Sequence, residues 1–300
     1  MSVLLETNLQ DTLISKGKVR DIYDLDDKLL IVVTDRLSAF DVVMPDGIPD
    51  KGAVLNLLSA FWFEKTAYMI PNHVVQVVEE SGQLNSYNSN NIYPSSLAGR
   101  SMVVKKAERF PVECVVRGYI SGSAWSEYKK SGTINSIPYP KGLKESEKFP
   151  EPIFTPTTKA DSGHDEPLTP DELNQLVGEP IAKELEEKTK AIYRFAEEYA
   201  RTRGIIIADT KMEFCMLDNK IILIDELLTP DSSRFWDVST YEAGHSQPSF
   251  DKQIVRDWLN TTDWDKTPPG PKLPEELIKK TSEKYQEVYQ ILTGKPLPKY

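Results

Sequence analysis

No apolar run in this sequence approaches the ~20 residues a helix needs to cross a bilayer, so a helical membrane protein is not expected. The first residues, Met1-Ser2-Val3-Leu4-Leu5-Glu6, lack a basic segment followed by an apolar core, so no signal peptide is expected and the chain reads as cytoplasmic. Cysteine is scarce. Cys114 and Cys215 each stand alone in an apolar run, with no CxxC or Cys/His ligand spacing. That excludes a disulfide framework and a zinc knot, and leaves two buried, reduced thiols. Histidine is equally scarce, at three residues. His73 and His245 have no partners at a suggestive spacing. His164, beside Asp165, has proton transfer or a plain loop position open to it. No Ser-His-Asp order can be defended.

Positive charge is also in deficit. The formal net charge is −10, which argues against nucleic acid as the main partner. Small anions are not excluded, because a few local Lys and Arg can hold phosphate in an acidic protein. GxxxxGK[ST] and GxGxxG are both missing, so neither the P-loop nor the dinucleotide fingerprint applies. There is no internal repeat, no low-complexity tract and no long apolar surface stripe. A monomer or a small homo-oligomer fits equally well.

What is present is a globular balance, 39% hydrophobic and 27% charged over 300 residues. A chain of this length buries roughly three quarters of its unfolded surface and fills about two average domains. Residues 28–34 (KLLIVVT), 74–78 and 101–106 have the composition and length of buried strands. Residues 55–68, with Leu58, Phe61 and Trp62 at helical spacing, predict a helix. Residues 81–99 read as a loop. The proline-rich stretch 136–170 reads as structure-poor, and its density of Thr155, Thr157, Thr158, Lys159, Asp161, His164 and Asp165 marks it as a functional loop. Pro180 opens a helix to Arg203, with Gly204 beyond its end. Two strands follow, over 204–217 and 220–228. Ser249 is expected to N-cap a helix through Leu259, and Pro274 to open a final amphipathic helix. The order, β-rich and then mixed, gives an α+β chain of two lobes divided near residue 107.

The chemistry concentrates in 207–214 (IADTKMEF). Strand alternation puts Asp209, Lys211 and Glu213 on one face. Three charges on one face of an apolar strand are costly to bury unpaired. They mark either a solvated edge strand or a carboxylate metal site with a lysine aimed at phosphate. The apolar neighbours on both faces favour the second. The next strand ends at Asp225-Glu226. A two-residue turn at Asp218-Asn219 would set Asp225 opposite Met212, on the wrong face. A three-residue loop, or an equivalent bulge, would set it opposite Glu213. The latter is expected, with Glu213 and Asp225 holding Mg²⁺ that bridges ATP phosphates.

Three further segments carry phosphate chemistry. Lys16-Gly17-Lys18-Val19-Arg20-Asp21 combines a close-approach glycine with two cations; a basic surface turn is the plainer alternative. Segment 115–125 (VVRGYISGSAW) feeds Arg117 into small residues and two glycines. Segment 228–236 (LTPDSSRFW) offers Arg234 as a bidentate clamp, or else as the partner of Asp231 in a turn.

Taken together, GKVRDIY (17–23), TDRLSAFDVVMPDGIPDKG (34–52), VECVVRGYISGSAW (112–125), FPEPIFTPTTKAD (149–161), IADTKMEF (207–214) and IDELLTPDSSRFW (224–236) resemble the SAICAR synthetase family, in order and over nearly the whole chain. The resemblance implies an α+β, two-lobed fold related to ATP-grasp and kinase architectures, with antiparallel sheets, flanking helices and ATP in the interlobe cleft. Residues 1–106 would be the β-rich lobe covering the ATP phosphates, and 107–300 the lobe with the metal and substrate sites. The implied reaction is an ATP- and Mg²⁺-dependent ligation of L-aspartate to the carboxylate of carboxyaminoimidazole ribotide (CAIR), in de novo purine synthesis.

The same resemblance distributes roles. Gly17, Lys18, Val19 and Arg20 would cover the ATP phosphates, and Lys105 would belong to the adenine-side hinge. Glu213 and Asp225 would bind metal. Lys211, Asp209 and Arg234 would be catalytic. Ser38, Asp41, Arg117, Ser123, Lys159 and Arg234 would hold substrate. A small-molecule kinase or a non-catalytic nucleotide-binding regulator would share several of these features. Dependence of ADP release on aspartate separates the three.

Overall fold

The structure is a computed structural model that describes residues 3–159, 165–250 and 252–300. Its first sheet is antiparallel and built from neighbours in sequence. Strands β1 (Leu13–Lys16), β2 (Arg20–Leu25) and β3 (Lys28–Val33) pair as successive hairpins. A separate hairpin follows, β4 (Arg36–Ala39) with β5 (Val42–Gly47). Its tip, Phe40-Asp41, has both residues at positive φ, 51° and 63°. That is the primed turn whose twist matches the flanking strands. Helix α1 (Lys51–Thr66) comes next, then β6 (Val74–Val78) and β7 (Ser101–Lys105), which complete the first sheet in the order β1-β2-β3-β7-β6.

The second sheet begins at β8 (Val112–Tyr119). Helix α2 (Gly122–Ser131) and the short hairpin β9 (Thr133–Ile134) and β10 (Ile137–Pro138) follow. Stretch 136–170 is less bare than its prolines suggest. It contributes β11 (Lys148–Phe154) and β12 (Thr157–Thr158), both paired to β8. Proline is tolerated in β11 because the strand lies at the sheet edge, where a missing N–H breaks no ladder. Helices α3 (Pro170–Val177) and α4 (Glu179–Arg201) lead into β13 (Ile205–Leu217), β14 (Lys220–Ile224) and β15 (Ser233–Asp237). The long β13 is central, flanked by β8 on one side and by β14 and β15 on the other. Helices α5 (Gln253–Leu259) and α6 (Glu275–Thr293) close the chain.

Ser249 does not cap α5. The helix starts four residues later with Lys252 at its N-cap, and the Ser249 hydroxyl donates to Phe235 O, tying the segment to β15 instead.

One apolar cluster joins the two sheets. It takes Ile31 and Val33 from β3, Leu58 and Trp62 from α1, Leu185, Ile192 and Ala196 from α4, Phe214 from β13, and Tyr285 and Leu292 from α6. The α4 residues recur at helical spacing, which is why this helix lies flat on the back of β13 and β8. Gly118 permits the close approach: a Cβ there would sit 1.9 Å from the Tyr193 hydroxyl, which donates to Ile207 O at 2.6 Å. Trp62 is fully buried, so truncation to alanine would cost about 3–5 kcal/mol. Cys114 and Cys215 are buried free thiols, as expected. Among the described residues no helix is long and apolar enough to cross a membrane.

Candidate active site

The face of the second sheet opposite α4 forms one wall of a cleft of about 680 Å³, and the β1–β2 turn overhangs it. The turn is tight: Gly17 N donates to Arg20 O at 2.7 Å. Buried Arg36 anchors it from below, donating to Lys18 O at 3.2 Å and Gly17 O at 2.9 Å and pairing with Asp21 at 2.6 Å. With its carbonyls held this way, Gly17, Lys18, Val19 and Arg20 all line the cleft.

Cross-strand register assembles the floor. Asp209 of β13 stands opposite both Arg117 of β8 and Arg234 of β15. Asp209 Oδ2 accepts from Arg117 Nη1 at 3.0 Å and Arg234 Nη1 at 2.5 Å. Arg117 also donates to Thr155 Oγ1 at 3.0 Å and Ser123 Oγ at 3.2 Å. Burial lowers the Arg117 pKa and neighbouring Arg234 adds to this, against the pull of Asp209. Two guanidiniums converge on one carboxylate oxygen here, and such planar, forked donors suit a phosphate or carboxylate. Arg234 therefore pairs with Asp209. It does not pair with Asp231, whose carboxylate turns the other way to buried Lys51.

Two and four residues further along β13, Lys211 and Glu213 face the same space. Glu113 of β8 joins them. Its Oε1 accepts from Lys159 at 2.6 Å and Lys211 at 2.8 Å, and Lys159 also reaches Glu213 at 2.7 Å. Burial would raise the Glu113 carboxyl, but Lys211 and Lys159 hold it below its ordinary value. Lys159 and Lys211 stay above theirs, since the acids around them outweigh burial.

The β13–β14 register corrects the expectation from sequence. Leu217 pairs with Lys220 across a two-residue turn, and Glu213 pairs with Ile224. Asp218 and Asn219 both tolerate positive φ, at 50° and 58°, so the tight primed turn forms and no third loop residue is needed. In a continued ladder Asp225 would point away from the cleft. The strand instead ends at Ile224, and Asp225 takes φ 66°, which turns its side chain into the cleft beside Glu213. The carboxylates meet through a backbone reversal at Asp225. Burial and then the charge of Asp225 push Glu213 above the usual carboxylate range. Burial opposes ionisation of Asp225 too, but Arg20, Lys159 and Lys211 hold it at about 2. Arg20 clamps Asp225 and, at 3.0 Å, Glu226.

Among the described residues no group of three or more His, Cys, Asp or Glu is placed to hold a metal by itself. Two mutually repelling carboxylates beside phosphate donors do fit a hard divalent cation that takes its other ligands from phosphate and water.

Ser38 and Asp41 also line the cleft, with Asp41 paired to Lys18 across its mouth. Ser123 and Asp165 do so as well; His164 and Asp161 lie outside the described residues. Lys105 is the exception. It ends β7 with an exposed side chain, opposite Lys28, and takes no part in the cleft lining.

Sequence reasoning missed Glu113, Lys252, Arg256 and the role of Asp231. The period-two rule that found the β13 charges would have found Glu113, two and four residues before Val115 and Arg117. Lys252 and Arg256 are one helical turn apart on α5, and nothing local marks them. Burial holds the Lys252 ammonium below its ordinary value, with Lys51 and Arg256 adding to it and Asp231 opposing.

The SAICAR synthetase family model matches residues 13–271. A phosphoribosylaminoimidazole-succinocarboxamide synthase of Thermodesulfovibrio yellowstonii is 52% identical over 300 residues, 98% of this chain and 99% of that one. The solved SAICAR synthase of Saccharomyces cerevisiae in complex with SAICAR superposes with a TM-score of 0.87 at 43% identity, covering 98% of this chain and 99% of that one. A SAICAR synthetase solved in complex with ADP has a TM-score of 0.67 at 26% identity, covering 95% and 99%.

Proposed function

Since the chain belongs to the SAICAR synthetase family, we propose that its cleft joins L-aspartate to the carboxylate of CAIR, with ATP giving ADP and phosphate, in de novo purine synthesis. The observation that carries the site assignment is the row Arg117–Asp209–Arg234 continuing into Lys211, Glu213 and Asp225 on one cleft wall. Relatives solved with SAICAR and with ADP support a ribotide product and a nucleotide at such a site.

A carboxylate does not react with an amine at neutral pH, because oxide is too poor a leaving group. Transfer of the γ-phosphoryl group to a CAIR carboxylate oxygen gives an acyl phosphate and ADP. The aspartate amine then attacks the acyl carbon, phosphate leaves, and the amine's proton is lost. Such a sequence asks the protein for positioning and charge neutralisation, with no protein nucleophile. Gly17, Lys18, Val19 and Arg20 cover the ATP phosphates. Glu213 and Asp225 would hold Mg²⁺, which supplies charge neutralisation at those phosphates. Lys211 reaches the transferring group, while Asp209 sets Arg234 and Arg117 against the ribotide phosphate with Ser123. Ser38, Asp41 and Lys159 border the imidazole and its carboxylate. Lys105, at the end of β7 and outside the cleft lining, would belong to the adenine-side hinge.

Residues 1–106 and 107–300 act as two lobes of an ATP-grasp- or kinase-like arrangement, with ATP between them and α6 bridging back onto α1. The chain works in the cytoplasm on small molecules, as a monomer or small homo-oligomer, without nucleic acid or membrane. The test is ADP release from ATP, Mg²⁺ and CAIR with and without L-aspartate. Release that needs both CAIR and aspartate is expected. Release without aspartate would identify a kinase, and binding without consumption a regulator.

A further inference from the structure

We propose that Lys51 is a positioning residue: together with Tyr285 it holds the Asp231 carboxylate off Lys252, so that the Lys252 ammonium stays available to an anionic group of a substrate. The readout of this inference rests on the ligase reading above.

Lys51 is out of place by ordinary rules. Its side chain is 0% exposed, and it is the first residue of α1, where the helix dipole disfavours a cation. A buried ion pair is often no more stable than apolar residues of the same volume, so stability alone does not account for it, and what it holds in place is the question. Lys51 Nζ donates to Asp231 Oδ2 at 2.7 Å, and the Tyr285 hydroxyl donates to Oδ1 at 2.7 Å. Both oxygens are thus engaged from beneath the cleft floor, by residues of α1 and α6. The loop is tied down as well, because Asp231 N and Ser232 N both donate to Thr229 Oγ1, which itself donates to Glu226.

Lys252 stands on the cleft side. Its Nζ lies 4.0 Å from Asp231 Oδ1, a long ion pair at the outer limit of such contacts and outside hydrogen-bond reach. Its carbonyl caps the start of α5, accepting from Val255 N and Arg256 N, but its ammonium makes no hydrogen bond among the described residues, and Lys252 lines the cleft with Arg256 and Arg234. Removing either donor beneath Asp231 leaves one oxygen of the buried carboxylate short of a partner, and Lys252, 4.0 Å from Oδ1, is the cation on the cleft side. The ammonium would then close onto Asp231 and be lost to the cleft. Lys51 acts through Asp231 and touches no substrate.

Tyr285→Phe and Lys51→Met are the test variants, with Lys51→Met/Asp231→Asn as the rescue. Calorimetry reads Kd for CAIR and for L-aspartate separately, independent of turnover; ADP release reads kcat and each KM. Tyr285→Phe, the milder change, should weaken one of the two anions by about tenfold, the scale of one charge-assisted contact, with kcat and the KM for ATP nearly unchanged. Lys51→Met should do the same. The double variant should recover most of the affinity, because a neutral amide in place of the carboxylate no longer competes for Lys252. Weakened CAIR places Lys252 on the ribotide; weakened aspartate places it on the amine substrate. A lower melting temperature with both affinities intact would overturn the proposal and leave Lys51 a folding residue. So would a double variant no better than Lys51→Met, or a wild-type protein that binds neither anion. A wild-type protein that binds both but releases no ADP would sink the ligase reading alone.

Discussion

Asp209→Asn separates the charge of the cleft floor from its shape. Asp209 is 4% exposed, and one oxygen, Oδ2, takes Arg117 at 3.0 Å, Arg234 at 2.5 Å and the Ser121 hydroxyl at 3.3 Å. Asparagine keeps the volume and an acceptor but removes the charge, leaving two guanidiniums facing each other. Losing one partner of a buried ion pair costs about 3–5 kcal/mol. The retained acceptor and the 26% exposure of Arg234 put this case at the low end, about 3 kcal/mol. At about 2 °C per kcal/mol for a chain of this size, the melting temperature should fall by roughly 6 °C. Supplying an anion should then narrow the gap. Phosphate between Arg117 and Arg234 replaces the missing charge, and at about a hundred times its Kd it adds about 2.7 kcal/mol. Scanning calorimetry with and without inorganic phosphate should show the variant gaining more than the wild type. Equal gains, or a variant that melts with the wild type, would refute the shared-anion reading of this corner.

Three other outcomes follow from the same geometry. Glu213→Ala should abolish ADP release while the protein still folds; near-normal turnover would remove Glu213 from the metal site. Gly122 sits at φ +55°, and a Cβ there would lie 2.3 Å from Arg234 Nη2. Gly122→Ala should therefore displace that guanidinium and raise the KM for CAIR by about tenfold, the worth of one charge-assisted contact, with the KM for ATP as control. His73 is 3% exposed and its Nε2 has no hydrogen-bond partner; burial lowers its pKa to about 4. The unfolded chain protonates this histidine near pH 6.5, so between about 6.5 and 4 it binds more protons than the native state. Stability from this residue is complete above that window and falls with pH through it, by on the order of 3 kcal/mol. His73→Leu should flatten the loss in urea titrations at stepped pH; an unchanged slope would contradict the buried neutral imidazole.

The sequence by itself determined the short-range features, because those depend on chain periodicity. Alternation along 207–214 places Asp209, Lys211 and Glu213 on one face of a strand without reference to the rest of the fold. The scarcity of cysteine and histidine ruled out disulfide and zinc scaffolds. Helical spacing marked α1, α4 and α6 to within a few residues. Composition misread 136–170, because an edge strand tolerates prolines that a central one does not.

Only the tertiary structure decided which distant groups meet. The turn at Asp218-Asn219 set a register that alone would have sent Asp225 away from Glu213, and one left-handed residue reversed it. Arg36 anchors the Gly17 turn across a hairpin, and Lys51 reaches Asp231 over 180 positions. Such contacts follow from how sheets and helices stack, and stacking depends on the whole core, so no window along the chain carries them.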